Sequence, residues 1–412
     1  MNRRRKEARE SSSGGGGGGE ARVCGRGVAL YLGMQGRAMK PVCKPSADRI
    51  TNLPADVTLR ILELLPVKEA AKMAALSTTW RSHWRSVRRL VFDNDFAGAK
   101  SNKMMDRLML NIYRVLLLHD GPIRKFYFLF SGLRSCYEYE IDQIIVHLSN
   151  RGLQAFALAL SPADSHVYKL HSALFSCLQL DELSLVCCEF RQPSWFVGFG
   201  KLKNLCVMRV ALPADFFENF LTKCPMLQVL LVVHCVGPGN LQLVAPRLRK
   251  FTFRGNLKKI SFKHTPFLNS VSIALNGHRE EVEKPVDTVA LFASLPSLQT
   301  FAVDFQLLQL DSSHQTHPAN NEAVTNIRRS LEAEERRGVW FCLRHLREFT
   351  IQDCLATQSE LDLLRFVLAT VPSLERVSIK SLDRLAYNTR IEFMKKVMTY
   401  KRASANATVV CD

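Results

Sequence analysis

Cysteine and histidine are the residues of this 412-residue chain whose chemistry is most readily judged by spacing, and it holds twelve of the first and eleven of the second. A structural zinc or a redox pair needs thiolates close together, which short C-x-x-C spacings provide. None of the twelve cysteines forms such a pair, and most sit in apolar runs such as "LVCCEF" and "VVHC". There they read as reduced core residues that pack as small hydrophobes. His314 and His317, in "HQTHP", lie in a polar segment with no third ligand nearby and read as loop. Catalytic signatures are equally absent: there is no G-x-S-x-G elbow and no H-E-x-x-H. The glycine run at 14–19 lacks the Lys-Ser/Thr and the flanking strand of a phosphate cradle. No catalytic residue, cofactor or metal is expected.

The chemistry that remains is non-covalent. "LPADVTLRILELLPVKEAAKMAALSTTWRSHW", Leu53 to Trp84, is rich in large apolar side chains. A segment below about 40 residues rarely supports its own core, so part of this surface must be buried elsewhere. Val57, Ile61, Leu64 and Leu65 recur at helical spacing, with Asn52 and Pro54 placed to start a helix and Pro66 to end it. "VKEAAKMAAL" reads as a second helix. Ser77 is placed to cap a third, which carries Trp80 and Trp84 four residues apart on one face.

A repeat dominates the rest. The frame φ-x-x-φ-x-φ-x-x-z, with φ apolar, starts at residues 87, 123, 153, 180, 202, 227, 248, 268, 298, 346 and 374. Its last position is Cys188, Cys235, Asn256, Asn276 or Cys354 in five of them. This is the leucine-rich-repeat pattern: a short strand turns alternate side chains inward, and no repeat can bury its strand without neighbours. Scattered strands of an α/β enzyme would not keep a constant nine-residue frame. The step from 298 to 346 holds a polar loop and a charged helix, "EAVTNIRRSLEAEERR", and reads as a solvated insertion. The C-terminal stretch reads as helix, strand, helix, closing the last repeat.

Composition narrows the classes further. Hydrophobic content of 47% with 23% charge fits a soluble globular chain, and no apolar run approaches the roughly 20 residues of a membrane helix. "VALYL" (28–32) is too short for a signal peptide, so a non-secreted protein of the nucleus and/or cytoplasm is expected, with no membrane partner. The net charge is +18, of which seven Arg and three Lys against three Glu fall in residues 1–47. "RRRKEAR" (3–9) suits either a nuclear import signal or a solvated tail. No basic stripe with interleaved aromatics appears, which disfavours nucleic acid as a partner. Met34 and Met39 are both candidate alternative starts. The expected organisation is a disordered basic, glycine-rich tail (1–46), a helical hook (47–86), a solenoid (87–339) and C-terminal repeats with a cap (340–412).

Residues 48–93 closely resemble the plant F-box that heads F-box/leucine-rich-repeat proteins. The matching marks are Leu53-Pro54, Ile61-Leu62, Leu65-Pro66, Leu76-Ser77, Trp80-Arg81, Trp84 and Phe92-Asp93. The repeats, through "GPIRKF", "LFSCLQLDELSL" and "CPMLQVL", are similar to the same group, and residues 340–410 look like its C-terminal FBD segment. Ala55, Thr78 and Thr79 depart from the acidic and basic residues often found there. The resemblance implies an α/β fold, a short helical F-box followed by a leucine-rich-repeat solenoid, with parallel strands on the concave face and helices and loops outside. It also implies a non-catalytic receptor that docks on a Skp-family adaptor, and through it a cullin, to present a target protein for ubiquitination. Leu53, Pro54, Ile61, Leu62, Leu65, Pro66, Leu76, Trp80 and Trp84 would contact the adaptor or brace the hook, with Trp84 placed to seal it onto Leu90 and Phe92. A protein-binding scaffold outside any ligase, and a receptor for a small molecule, stand as alternatives.

Frame positions 3, 5 and 7 face outward on the concave sheet. In the middle repeats they give an apolar patch, Met208, Val229, Leu231 and Val233, beside a basic pair, Lys250 and Arg254. Either a target with an apolar anchor and an acidic or phosphorylated flank docks there, or flanking loops or the tail cover these side chains.

Overall fold

The computed structural model describes residues 53–97, 102–133, 135–162, 167–237, 240–256, 259–275, 294–304, 343–380 and 385–411. The N-terminal tail, Asn52, Asn276, the histidine pair and the expected insertion helix lie outside these residues.

Three short helices come first: α1 (Ala55–Leu64), α2 (Val67–Leu76) and α3 (Thr78–Trp84). Pro54 and Pro66 occupy the N-caps of α1 and α2 at φ −54°, a value their rings impose. Ser77 stands at the N-cap of α3, as expected, but its side chain makes no capping bond. Leu62, Ala70, Trp80 and Val87 form a small core where these helices meet.

From there the chain builds a twelve-stranded sheet in which strands pair in chain order, every pair parallel. The strands are β1 (Arg89–Asp93), β2 (Lys125–Leu133), β3 (Ala155–Pro162), β4 (Glu182–Val186), β5 (Asn204–Met208) and β6 (Val229–Val233). They continue as β7 (Lys250–Gly255), β8 (Ser270–Leu275), β9 (Thr300–Asp304), β10 (Glu348–Gln352), β11 (Arg376–Ile379) and β12 (Thr408–Cys411). Each frame match is one of the first eleven. The twelfth was not expected: the chain does not end on a capping helix but adds β12 beside β11.

Two backbone devices repeat with the frame. Before each strand, one carbonyl accepts two N–H groups from the next repeat. Arg88 O accepts from Arg124 and Lys125, Gln154 O from Asp181 and Glu182, Lys203 O from Gln228 and Val229, and so on to Arg347 O. After the strand, frame position 8 turns left-handed, at Cys187 (φ 57°), Arg209 (51°), His234 (52°) and Asp353 (49°), with Gly255 filling the same position. Non-glycine residues seldom adopt this conformation, and here each sits where the chain leaves the sheet. The thiols at position 9 are satisfied or sealed. Cys235 Sγ donates to Val207 O at 3.5 Å, and burial pushes Cys188 and Cys354 up to about 12, so neither is a reactive thiolate at neutral pH.

Side chains that alternate inward (Phe126, Phe128, Leu183, Leu185, Leu205, Val207, Leu230, Val232) form one continuous core. Among the described residues the longer helices lie toward its ends: α4 (Asn94–Ala97), α5 (Asn102–Leu118) and α6 (Glu138–Ser149) at one, α7 (Gln358–Thr370) and α8 (Tyr387–Met398) at the other. Between β4 and β8 the returns are turns, two short helical stretches (Phe216–Phe220 and Leu221–Lys223) and a short outer strand pair, Asn240–Val244 with Lys259–Lys263, the helices and loops expected outside the sheet. Phenylalanines fill that side. Phe190 packs against Phe175 (5.3 Å), Phe216 (5.5 Å) and Phe220 (4.9 Å), and Phe196 and Phe199 join them.

The start of α7 is fixed by a carboxylate with no solvent exposure. Glu360 accepts from Leu355 N (3.1 Å), Thr357 N (2.7 Å) and Thr357 Oγ1 (3.0 Å), while Thr357 Oγ1 accepts from Glu360 N. Glu360→Ala removes an acceptor from several buried donors, so a loss of about 2–4 kcal/mol is expected in urea unfolding. A loss below about 1 kcal/mol would mean that water replaces the carboxylate at no cost.

Candidate functional site: the helical hook, its joint and the inner face

The hook splits the nine residues singled out in it. Leu62 and Trp80 are buried in its core, Leu53, Ile61 and Leu65 are half-buried against that core, and Pro54 and Pro66 are exposed. The side chain of Leu76 lies outside the described residues. Two apolar side chains that the sequence reading had used only to define helix α1 point outward: Val57, and Leu64 with 71% of its surface exposed. Their spacing of seven is the signal that would have found them. Pro54, at the N-cap of α1, and Val57 and Leu64 on it are thus apolar side chains left exposed.

The hook is fastened to the sheet. Trp84 packs against both the small core and the main one, and Val67 is buried in the main core. Arg85 pairs with Asp120 (2.8 Å) and donates from Nε to Leu118 O (3.0 Å). Arg89 donates to Glu63 O (3.2 Å), in the last turn of α1, where a cation complements the helix dipole. Gly121 lies so close to Ser86 that a Cβ there would stand 3.1 Å from Ser86 Cα.

Beneath this joint His119, only 3% exposed, donates from Nε2 to Val87 O at 2.6 Å, leaving Nδ1 without a partner. His147 Nε2 is also buried and unpartnered. Burial lowers both pKa values, and Arg151, which donates to His119 O, lowers them further. For His119 the backbone of Val87 and of Gly121 offsets part of the burial effect, more than Arg151 adds to it, and Asp120 acts in the same sense. A base depressed in the folded state is protonated first in the unfolded chain. Stability is therefore flat above the ordinary histidine value of 6.5 and falls as pH drops below it, until the folded histidine also takes up a proton. For His119 the slope is at most about 1.4 kcal/mol per pH unit. His119→Gln should flatten urea midpoints measured between about pH 7 and 5. Equal slopes in parent and variant would remove His119 as the cause.

On the inner face the sheet register places the six residues as their spacing required. Met208 pairs with Val233 and Val233 with Arg254, Val229 pairs with Lys250, and Leu231 lies between Cys206 and Thr252. All except exposed Lys250 are half-buried. Arg254, however, is not a free cation: its Nη2 donates to Gln352 Oε1 at 3.2 Å, across β8 and β9. Asp304, the register partner of Gln352, is buried and also engaged. Among the described residues no helix is long and apolar enough to cross a membrane, and no cluster of three or more potential metal ligands forms.

Comparison with known families settles what the hook is. A family model described as "F-box domain" matches residues 50–92, and one described as "FBD-associated F-box protein At5g56370, LRR repeats" matches residues 141–302. The chain carries an F-box and FBD-associated leucine-rich repeats. Its similarity to the Arabidopsis thaliana "F-box/FBD/LRR-repeat protein At1g13570" is 26% identity over 89% of this chain and 98% of that protein. "FBD-associated F-box protein At4g10400" from the same plant is 23% identical over 81% of this chain and 78% of its own length. "F-box/FBD/LRR-repeat protein At5g56420" is 30% identical, but this chain spans about half of it, 48%. The F-box match ends at residue 92, within β1, so the joint just described links the F-box to its first repeat. F-box and leucine-rich-repeat modules together make a protein-interaction architecture, and proteins built this way are generally non-catalytic receptors.

Proposed function

We propose that the protein is the substrate-recognition subunit of a Skp-cullin-F-box ubiquitin ligase. In this reading the F-box docks on a Skp-family adaptor, the adaptor joins it to a cullin, and the inner face of the repeats holds a target protein for ubiquitination. Transfer is carried out by other subunits, so this chain needs no nucleophile. The observation that supports it is the two-sidedness of the F-box. Leu62 and Trp80 give it a core and Arg85 and Arg89 fasten it, yet Pro54, Val57 and Leu64 still face outward. A private cap on the solenoid would have turned those side chains inward. In this assignment Leu53, Pro54, Ile61, Leu65 and Pro66 meet the adaptor, Leu62 and Trp80 brace the hook, and Trp84 seals the joint.

The test is capture of a plant Skp-family adaptor by the full chain, beside a Leu53→Ala/Pro54→Ala variant with matching circular dichroism and melting. Stoichiometric capture by the parent and at least about a tenfold weaker complex with the variant are expected, a difference of about 1.4 kcal/mol. If neither folded protein captures the adaptor, the ligase reading fails and a leucine-rich-repeat scaffold remains.

A further inference from the structure

Four exposed cations stand together on the first two rungs: Arg88, Arg89, Arg124 and Lys125. Arg89 and Lys125 are register partners on β1 and β2, and the N–H groups of Arg124 and Lys125 both donate to Arg88 O. Neighbouring strands lie about 4.8 Å apart, so the four charges share a patch about two strands wide. Only Arg89 is engaged, with Glu63 O and with the Tyr127 ring 5.6 Å away. Among the described residues no ion pair neutralises Arg88, Arg124 or Lys125. The aspartates before and after them are taken, Asp120 by Arg85 and Asp181 by Lys203 at 3.6 Å. Like charges directly opposite one another weaken a sheet, so this cluster carries a cost that an anionic partner would relieve.

On β3, beside the cluster, Ala155 and Ala157 are buried, so the sheet floor there is closed, and Glu182 on β4 is the register partner of Ala155 on the far side.

We propose that this F-box-proximal end of the inner face, rather than Lys250 and Arg254, receives an acidic peptide segment of the target. Its carboxylates lie on Arg88, Arg124 and Lys125. The inference rests on the reading that the inner face holds the target, and it moves the charged contact away from Arg254, which Gln352 already occupies. A peptide suits the site better than a nucleic acid strand. Among the described residues the aromatic that touches the cluster is Tyr127, and its ring already carries Arg89 rather than standing open to a base.

The test uses the full chain and a fluorescein-labelled synthetic peptide with four successive glutamates followed by two glycine-spaced leucines, read by fluorescence anisotropy. A control peptide carries glutamines in place of the glutamates. The glutamate peptide is expected to bind at least about tenfold more tightly than the control, and less tightly as salt rises. Arg124→Glu/Lys125→Glu should weaken it at least about tenfold, and Lys250→Glu should leave it within about twofold. Failure of the glutamate peptide to bind, no effect of the double reversal, or an equal loss in Lys250→Glu overturns the inference. So does a single-stranded oligonucleotide that binds more tightly through the same residues. Adaptor capture is measured on the same proteins. If the double reversal abolishes adaptor capture and spares the peptide, the cluster belongs to the F-box partner and the inference fails while the ligase reading stands. Should the parent bind peptide but no adaptor, the reverse holds.

Discussion

Trp80→Ala should abolish adaptor capture while the twelve-stranded sheet stays folded. Trp80 is 4% exposed in a core whose other buried members are only Leu62, Ala70 and Val87. Truncating a buried tryptophan costs about 3–5 kcal/mol, and a core this small has no second layer to collapse into the space. The main core does not include Trp80, and only Val67 and the partly buried Trp84 connect it to the hook. Calorimetry should therefore show a weak early transition for the F-box ahead of the main one, with far-UV dichroism of the sheet retained below the second. A single transition displaced as a whole would show instead that the F-box and the repeats unfold as one unit, with Trp84 and Arg85 as the coupling.

The second large effect lies in the middle repeats. Phe190→Ala removes a ring with edge contacts to Phe175 and to Phe216 and Phe220 of the short helical stretch. The expected loss is about 3–5 kcal/mol from burial and cavity, with the edge-to-face contacts adding to it. Repeats contact only their neighbours, so the damage should spread outward from β4 and β5 rather than stay local. Hydrogen exchange is the direct readout. Amides of β4, β5 and β6 should lose protection before those of β10 and β11. Uniform loss, or a loss of stability below about 1 kcal/mol, would refute the claim that this aromatic cluster holds the middle repeats together.

What the sequence made legible was whatever recurs locally. The nine-residue frame located eleven strands and their inward side chains, and the apolar spacing of Leu53–Trp84 located three helices, because strand and helix periods are written in neighbouring residues. The inner-face rows followed from the same alternation. What escaped depends on contacts between distant residues. Arg254 and Gln352 stand 98 positions apart, and nothing near either marks the other. β12 carries only a short "TVVC" and borrows its place from β11. The left-handed turns at Cys187, Arg209 and His234 carry no glycine to announce them. The outer phenylalanines were visible as letters, but their packing into one cluster requires the fold. In the hook, Leu64 looked like any other helical leucine until its neighbours failed to cover it.

The bond from Arg254 to Gln352 also says something about geometry. Four successive strands, β7 to β10, would place those two backbones about 14 Å apart on a flat sheet, at about 4.8 Å per step. The two side chains meet at 3.2 Å, so both extend toward each other over Ala274 and Asp304. One guanidinium and one amide thus tie the middle repeats to β10 across the inner face. Anything that draws Arg254 away, a rival carboxylate or a shorter lysine in its place, releases this tie along with the charge.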